Sequence, residues 1–317
     1  MPATPTLGGV LAAVITAQTA ALVDLERGVR EDAPDAVHQY RVTLRRLRSV
    51  LAAFRTDLEP VAAAAALDLP ALTTRLRDTA RAFGLARDAE VNGELVAERL
   101  AGDADAAGRG AVVEAGRILA ETAAEDYQQH RVAAIALLDG YGPGSLTAVL
   151  TALATAAGEA PLTHAATGSG ARDDVDAAFA RTIDAQAAHV LRLARKAKRA
   201  TPADAATALH EVRKKAKRLR YTIEELTAHE VAVPPGRQDV VDAAHRIQKH
   251  LGTHHDSVGL AAFIRAAVEA RPATGRRAVS TAVAFAAGEL AGAERAVQQT
   301  ALRKYHRARR ALRDALA

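Results

Sequence analysis

Two segments of the chain repeat one arrangement of basic side chains: His38-Gln39-Tyr40-Arg41-Val42-Thr43-Leu44-Arg45-Arg46-Leu47-Arg48 and His210-Glu211-Val212-Arg213-Lys214-Lys215-Ala216-Lys217-Arg218-Leu219-Arg220. Both read His-x2-Arg-x3-(Arg/Lys)-Arg-x-Arg. At about 100° per residue in a helix, the His, the first Arg, the next Arg or Lys and the last Arg fall within an arc of roughly 80°. Such a stripe can capture an anion with several closely spaced charges, because guanidinium grips two oxygens at once and ammonium acts as a point charge. No Asp or Glu occurs from Val37 to Arg55. A helix built only for solubility would mix in acids to gain i,i+4 pairs, so these like charges need an anion between them.

The helices that must position these stripes show in the same segments. Val37, Leu44, Leu47, Leu51 and Phe54 form an apolar face in the first copy. Leu209, Val212, Ala216, Leu219, Ile223 and Leu226 form it in the second. Each helix is expected to bury that face and hold the cations beside it. Arg46 and Arg218 fall off the stripe and are read as solvated residues, and Lys214 lies near it, where the first copy has Val42.

The 317 residues suffice for two compact domains. Apolar residues make up 49%, much of it Ala, and Trp is absent, so close helix packing through small side chains is expected. With no Cys there are no disulfides and no thiolate metal ligands. No leader pattern begins the chain, and no uninterrupted apolar run reaches the roughly 18 residues that span a bilayer. A cytoplasmic protein without a membrane span is the expectation. The net charge of +5 matters less than its concentration near residues 189–221 and 303–313, which favours a polyanionic partner.

Helical periodicity runs throughout, with breaks expected near Asp32-Ala33-Pro34, Asp57-Leu58-Glu59-Pro60, Ala101-Gly102-Asp103, Gly140 to Gly144, Thr201-Pro202, Val233 to Gly236 and Arg271-Pro272. A main linker is expected from Gly158 to Gly170. A second repeated element, Phe83-Gly84-Leu85-Ala86-Arg87-Asp88 against Leu251-Gly252-Thr253-His254-His255-Asp256, follows each basic motif. The offsets are 172 residues (38 to 210) and 168 residues (84 to 252), which point to internal duplication. The architecture expected is all-α: two antiparallel helical bundles, residues 1–160 and 171–317, related by a pseudo-twofold axis with the basic stripes facing each other.

The motifs His38-x2-Arg41-x3-Arg45-Arg46-x-Arg48, Gly84-x2-Arg87-Asp88, His210-x2-Arg213-x3-Lys217-Arg218-x-Arg220-Tyr221 with Glu224 or Glu225 following, and Gly252-x2-His255-Asp256 resemble, in this order, those of the CHAD family, the conserved histidine α-helical domain. The resemblance implies two four-helix bundles around a basic central cavity that binds inorganic polyphosphate, with some members associated with polyphosphate granules. It extends the site to Arg81 and Lys249, which align in the helices leading into the Gly-containing elements, and to His255. Asp88 and Asp256 would orient neighbouring bases, or pair locally with Arg87 and His255. His306 and Arg310 in the last helix share a narrow arc and would extend the basic surface.

Other chemistries find less in the sequence. His245, His250, His254 and His255 suggest metal binding, but Gly252 interrupts the helical i,i+4 pair and no His-Glu-x-x-His motif occurs, so no metal site is expected. There is no phosphate-binding Gly-rich loop, no dinucleotide fingerprint and no nucleophile elbow. The stripes carry no carboxylate for metal or general-base work. The protein is therefore expected to bind without catalysing and to use no cofactor. Nucleic-acid binding is the alternative, opposed by an aromatic content of only 3%. A phasin-like granule coat is a third reading, resting on the Ala-rich amphipathic helices.

Overall fold

In the computed structural model the described residues are 6–102, 109–142, 145–160, 171–201, 204–271 and 278–317. They form ten helices and no strand: α1 (Leu7–Arg30), α2 (Ala36–Ala53), α3 (Arg55–Ala64), α4 (Leu69–Ala101), α5 (Gly110–Gly140), α6 (Ser145–Glu159), α7 (Ala171–Lys198), α8 (Ala205–Ala228), α9 (Gln238–Glu269) and α10 (Thr281–Ala315). The all-α expectation is met. The expected linker lies, from residue 161 onward, outside the described residues, as does the expected boundary between residues 1–160 and 171–317.

Starts and stops follow local chemistry. The Thr6 hydroxyl accepts the Gly9 amide at 3.1 Å and caps α1, and the Asp68 carboxylate accepts the Ala71 amide at 2.8 Å ahead of α4. Between α1 and α2 the chain reverses through Asp32 and Asp35, both at positive φ, which Asp tolerates better than most residues. One expected break is displaced. Pro60 lies inside α3, and the interruption falls at Phe54, which ends α2 and begins α3. Phe54 is fully buried, so its ring fixes the corner, while Pro60 is tolerated on the exposed side of a ten-residue helix.

Contacts divide the chain into two compact units, and each draws on both halves of the sequence. Unit 1 comprises Met1–Arg81, Ala134–Gln248 and Arg307–Ala317. Unit 2 comprises Ala82–Ala133 and Lys249–His306.

In unit 1, α1 packs against α2, α6, α7 and α8, while α7 and α2 also pack on α8. Leu11, Val14, Ile15, Leu22 and Val29 line the buried side of α1 at helical spacing. A Cβ at Gly8 would run into the carbonyl oxygen of Ala157, so glycine is what lets the start of α1 touch α6. By length and composition α1 is apolar enough to cross a membrane, with a mean hydropathy of 1.6 over its best window. The sequence reading counted only uninterrupted runs and did not single this helix out; half of that window is buried inside the fold.

Unit 2 is built from parts of α4, α5, α9 and α10. Its core joins Val96, Val112, Ile118, Leu119, Leu260, Ile264 and several alanines. The buried Glu294 carboxylate is held by Arg99 at 2.7 Å, which offsets the cost of desolvating it.

Candidate anion-binding site

The two repeated segments form α2 and α8, and these helices pack side by side within unit 1. Their apolar faces are where the sequence put them. Val37, Leu44, Leu47, Leu51, Phe54, Val212, Ala216, Leu219, Ile223 and Leu226 are all buried, and Leu209 is half-buried. Polar links tie the helices together. The Thr222 hydroxyl donates to the Ser49 carbonyl at 3.4 Å, and Arg46 Nε lies 3.3 Å from Glu225 Oε1. Glu225 is almost wholly buried and also accepts from Gln18 of α1 at 2.7 Å. Burial raises its pKa, against the pull of Arg46.

Beside this seam all eight stripe residues, His38, Arg41, Arg45, Arg48, His210, Arg213, Lys217 and Arg220, are half-buried. The cations of α2 reach those of α8. Lys217 is pushed down to about 6, first by burial and then by Arg45, Arg213, Arg41 and Arg220. His210 is lowered by burial and by Arg213, Lys214 and Arg45, against Glu211. Arg48 is lowered by burial and by Arg218, Arg45 and Arg77, against Asp78. A concentration of cations that depresses its own members is poised to accept an anion, because added negative charge relieves every one of these repulsions.

The stripe residues differ in their commitments. Arg220 is held by Glu224 at 2.6 Å and by Gln248 at 2.7 Å. Lys217 Nζ and Arg220 Cζ stand 5.6 and 5.4 Å from the ring centroid of Tyr221. Among the described residues no carboxylate pairs with Arg45, Arg48, Lys217 or Arg218, and no hydrogen bond engages their side chains. Arg45 and Lys217 occupy the same position of the two repeats (45 + 172 = 217).

Two residues set aside in the sequence reading prove otherwise. Arg46 is no ordinary solvated residue, since it neutralises Glu225. Arg218 is half-buried, is lowered by burial, and lies within electrostatic reach of Arg48. Their recurrence at the same offset as the stripe was the available signal; the wheel alone placed them off the face. The partner of Arg46 could not be read locally, because Glu225 lies on another helix.

The remaining candidates are distributed differently. Lys214 is exposed and paired with Glu211 at 2.8 Å. Arg81 and Arg310 are exposed and belong to unit 1. Lys249, His255 and His306 belong to unit 2, where Lys249 shares a groove of about 480 Å³ with His250, Thr253, Thr300 and Lys304. His306 is exposed and tilted against Tyr305, with ring centroids 5.1 Å apart. His255 and Asp256 are half-buried, and Arg87 is held by Glu90 at 2.7 Å and Glu94 at 2.9 Å. No cluster of three or more metal-ligating side chains occurs among the described residues.

The described residues are helical, and the two repeated basic helices pack against each other. The CHAD domain family model matches residues 13–265, and the chain belongs to the CHAD family. It is 34% identical over 250 residues to the uncharacterized protein MT2285 of Mycobacterium tuberculosis (strain CDC 1551 / Oshkosh) and to the uncharacterized protein Rv2226 of strain ATCC 25618 / H37Rv. Each alignment covers 77% of this chain and 42% of the relative, so the chain spans less than half the length of these relatives. The crystal structure of the CHAD domain from the plant Ricinus communis superposes with a TM-score of 0.62 at 25% identity, covering 100% of this chain and 93% of that one.

Proposed function

We propose that the α2–α8 face binds inorganic polyphosphate, without catalysis, and that Arg41, Arg45, Arg48, Arg213 and Lys217 make its principal contacts. The observation that carries this reading is the pairing of Arg45 and Lys217. They are equivalent residues of two packed helices, half-buried among further cations, with no carboxylate partner among the described residues. A linear polyphosphate offers closely spaced charges and neither base edges nor apolar surface, so a receptor for it needs cations at matching spacing. His38 and His210 would donate hydrogen bonds at its edge. The two sequence halves then supply one wall each, and Arg81 and Arg310 of the same unit extend the basic surface for longer chains.

Nucleic acid fits this face less well. Tyr40 and Tyr221 are buried, so they offer no stacking platform to an unpaired base. A cytoplasmic location at polyphosphate granules accompanies the proposal and is tested by following a fluorescent fusion in cells rich and poor in polyphosphate. The decisive test is a titration of long polyphosphate, triphosphate, duplex DNA and heparin at equal ionic strength. Long polyphosphate should bind tightest, because it engages both helices at once. Preference for DNA would overturn the reading.

A further inference from the structure

We propose that Tyr221 is a positioning residue of the anion-binding face: its ring gathers Lys217 and Arg220 of α8 and presents them to an anion without neutralising either. The inference rests on the polyphosphate reading of this face and assigns a role to a side chain which that reading leaves idle.

Three observations meet at this ring. Lys217 Nζ stands 5.6 Å and Arg220 Cζ 5.4 Å from its centroid, both within the roughly 6 Å over which the electron-rich face of an aromatic ring attracts a cation. Tyr221 is 4% exposed and both cations are half-buried, so water is partly displaced from these contacts, the condition under which they strengthen. The Tyr221 hydroxyl makes no hydrogen bond among the described residues, so what this residue offers its neighbours is the ring.

A ring suits the task better than a carboxylate. A carboxylate beside Lys217 would cancel its charge and compete with each arriving phosphate. The ring has no net charge, so it steadies the ammonium through its quadrupole and leaves the N–H donors to an anion. Burial and the neighbouring arginines oppose the charge on Lys217, and the ring acts in its favour. Arg220 is oriented further. Its Nε donates to Glu224 at 2.6 Å and its Nη1 to Gln248 at 2.7 Å, leaving Nη2 without a hydrogen-bond partner among the described residues. A guanidinium fixed on two edges and faced by a ring loses little further side-chain freedom when a phosphate arrives.

The first repeat lacks this device. The position matching Tyr221 in α2 is Ser49 (221 − 172 = 49), which is buried and donates to the Arg45 carbonyl at 2.7 Å. No ring contact engages Arg45 or Arg48 among the described residues. Helix α8 therefore presents an ordered pair of cations, and α2 presents arginines without such a mount.

The test varies the charge distribution of the ring while keeping its shape. The full chain is prepared with Tyr221→Phe, Tyr221→Leu and Tyr221→pentafluorophenylalanine, with less fluorinated phenylalanines between the first and the last. Fluorine withdraws electrons from the ring face and removes its attraction for a cation. Long polyphosphate is titrated at fixed ionic strength, thermal unfolding is followed for each variant, and Lys217 is titrated by NMR on lysine-labelled protein without ligand.

Tyr221→Phe should bind like the wild type. Affinity should then fall stepwise with fluorine to about a tenfold loss, and Tyr221→Leu should lose as much. In the ligand-free protein, Lys217 should give up its proton at a lower pH as fluorine is added, because the ammonium loses its partner. Equal affinity along the fluorine series overturns the proposal, since packing alone then accounts for the ring; this comparison decides even if Tyr221→Leu fails to fold. A wild-type protein that ignores polyphosphate overturns the proposed ligand, and the Lys217 titration then judges the ring by itself: a shift along the series upholds the contact, and an unchanged titration overturns it.

Discussion

Arg46 of α2 and Glu225 of α8 form an ion pair at 3.3 Å across the seam that joins the two repeated helices, with Gln18 of α1 closing the other side of the carboxylate. The equivalent of Arg46 in the second repeat, Arg218, has no such acid, because the position matching Glu225 is Ala53 (225 − 172 = 53). One repeat therefore spends this arginine on holding the helices together, and the other leaves it among the cations near Arg48.

Arg46→Ala should accordingly destabilise the protein more than it weakens anion binding. It leaves a buried carboxylate with Gln18 as its remaining partner, while the exposure of Arg46 moderates the loss to about 1–2 kcal/mol. Denaturant unfolding measures the change, and a double-mutant cycle with Glu225→Gln should show coupling between the two positions. Independent, additive effects would show that the pair contributes nothing.

Arg45→Ala and Lys217→Ala should each weaken polyphosphate binding by about 1–3 kcal/mol, the range for charge-assisted hydrogen bonds. Helical content should stay unchanged, since neither side chain belongs to the apolar face. The salt dependence of binding should also become shallower, because each variant neutralises fewer phosphates. If the Arg46 variant lost as much affinity as the Arg45 variant at equal stability, the contact face would be misassigned.

Lys217→Met should stabilise the free protein and change how its stability follows pH. The folded pKa of Lys217, about 6, lies below the roughly 10.4 of an unfolded chain, so between those values the unfolded state binds more protons. Stability contributed through this group is complete above the unfolded value and is lost as pH falls through the folded one. The Met variant should remove that slope, as read from melting temperatures between pH 6 and 10. A wild-type protein that shows no such slope would place Lys217 in a solvated setting.

Binding should take up protons and strengthen on acidification from about pH 9 to 6. A bound polyanion raises the depressed pKa values of Lys217 and His210, so the complex holds more protons than its parts over that interval. Below the free pKa of Lys217 that group is already charged, and its share of the dependence flattens. Calorimetry in buffers of different ionisation enthalpy measures the uptake, and Lys217→Arg should remove the part above neutral pH while keeping affinity.

Gly8→Ala should lower the melting temperature and leave anion affinity untouched. The added methyl meets backbone, the Ala157 carbonyl, so relief requires α1 to move away from α6. Thermal unfolding and a polyphosphate titration on the same variant separate the two effects.

Helix and stripe were legible in the sequence because both depend on one period. Apolar residues such as Leu44, Leu47 and Leu51 recur at the spacing of a helix face, and His38, Arg41, Arg45 and Arg48 recur at the same spacing beside them, so local geometry fixes which residues share a side. Repetition of the pattern at His210 to Arg220 marked it as more than a solvated charge run. What each cation does depended on groups brought together from far along the chain. Arg46 looked solvated until α8 placed Glu225 against it, and Lys214 looked like part of the stripe although Glu211 holds it at the surface. The depressed charge of Lys217 required Arg41 and Arg45, more than 170 residues away, on the neighbouring helix. A helical wheel orders side chains around one axis; burial and the field of a second helix exist only after the two have packed.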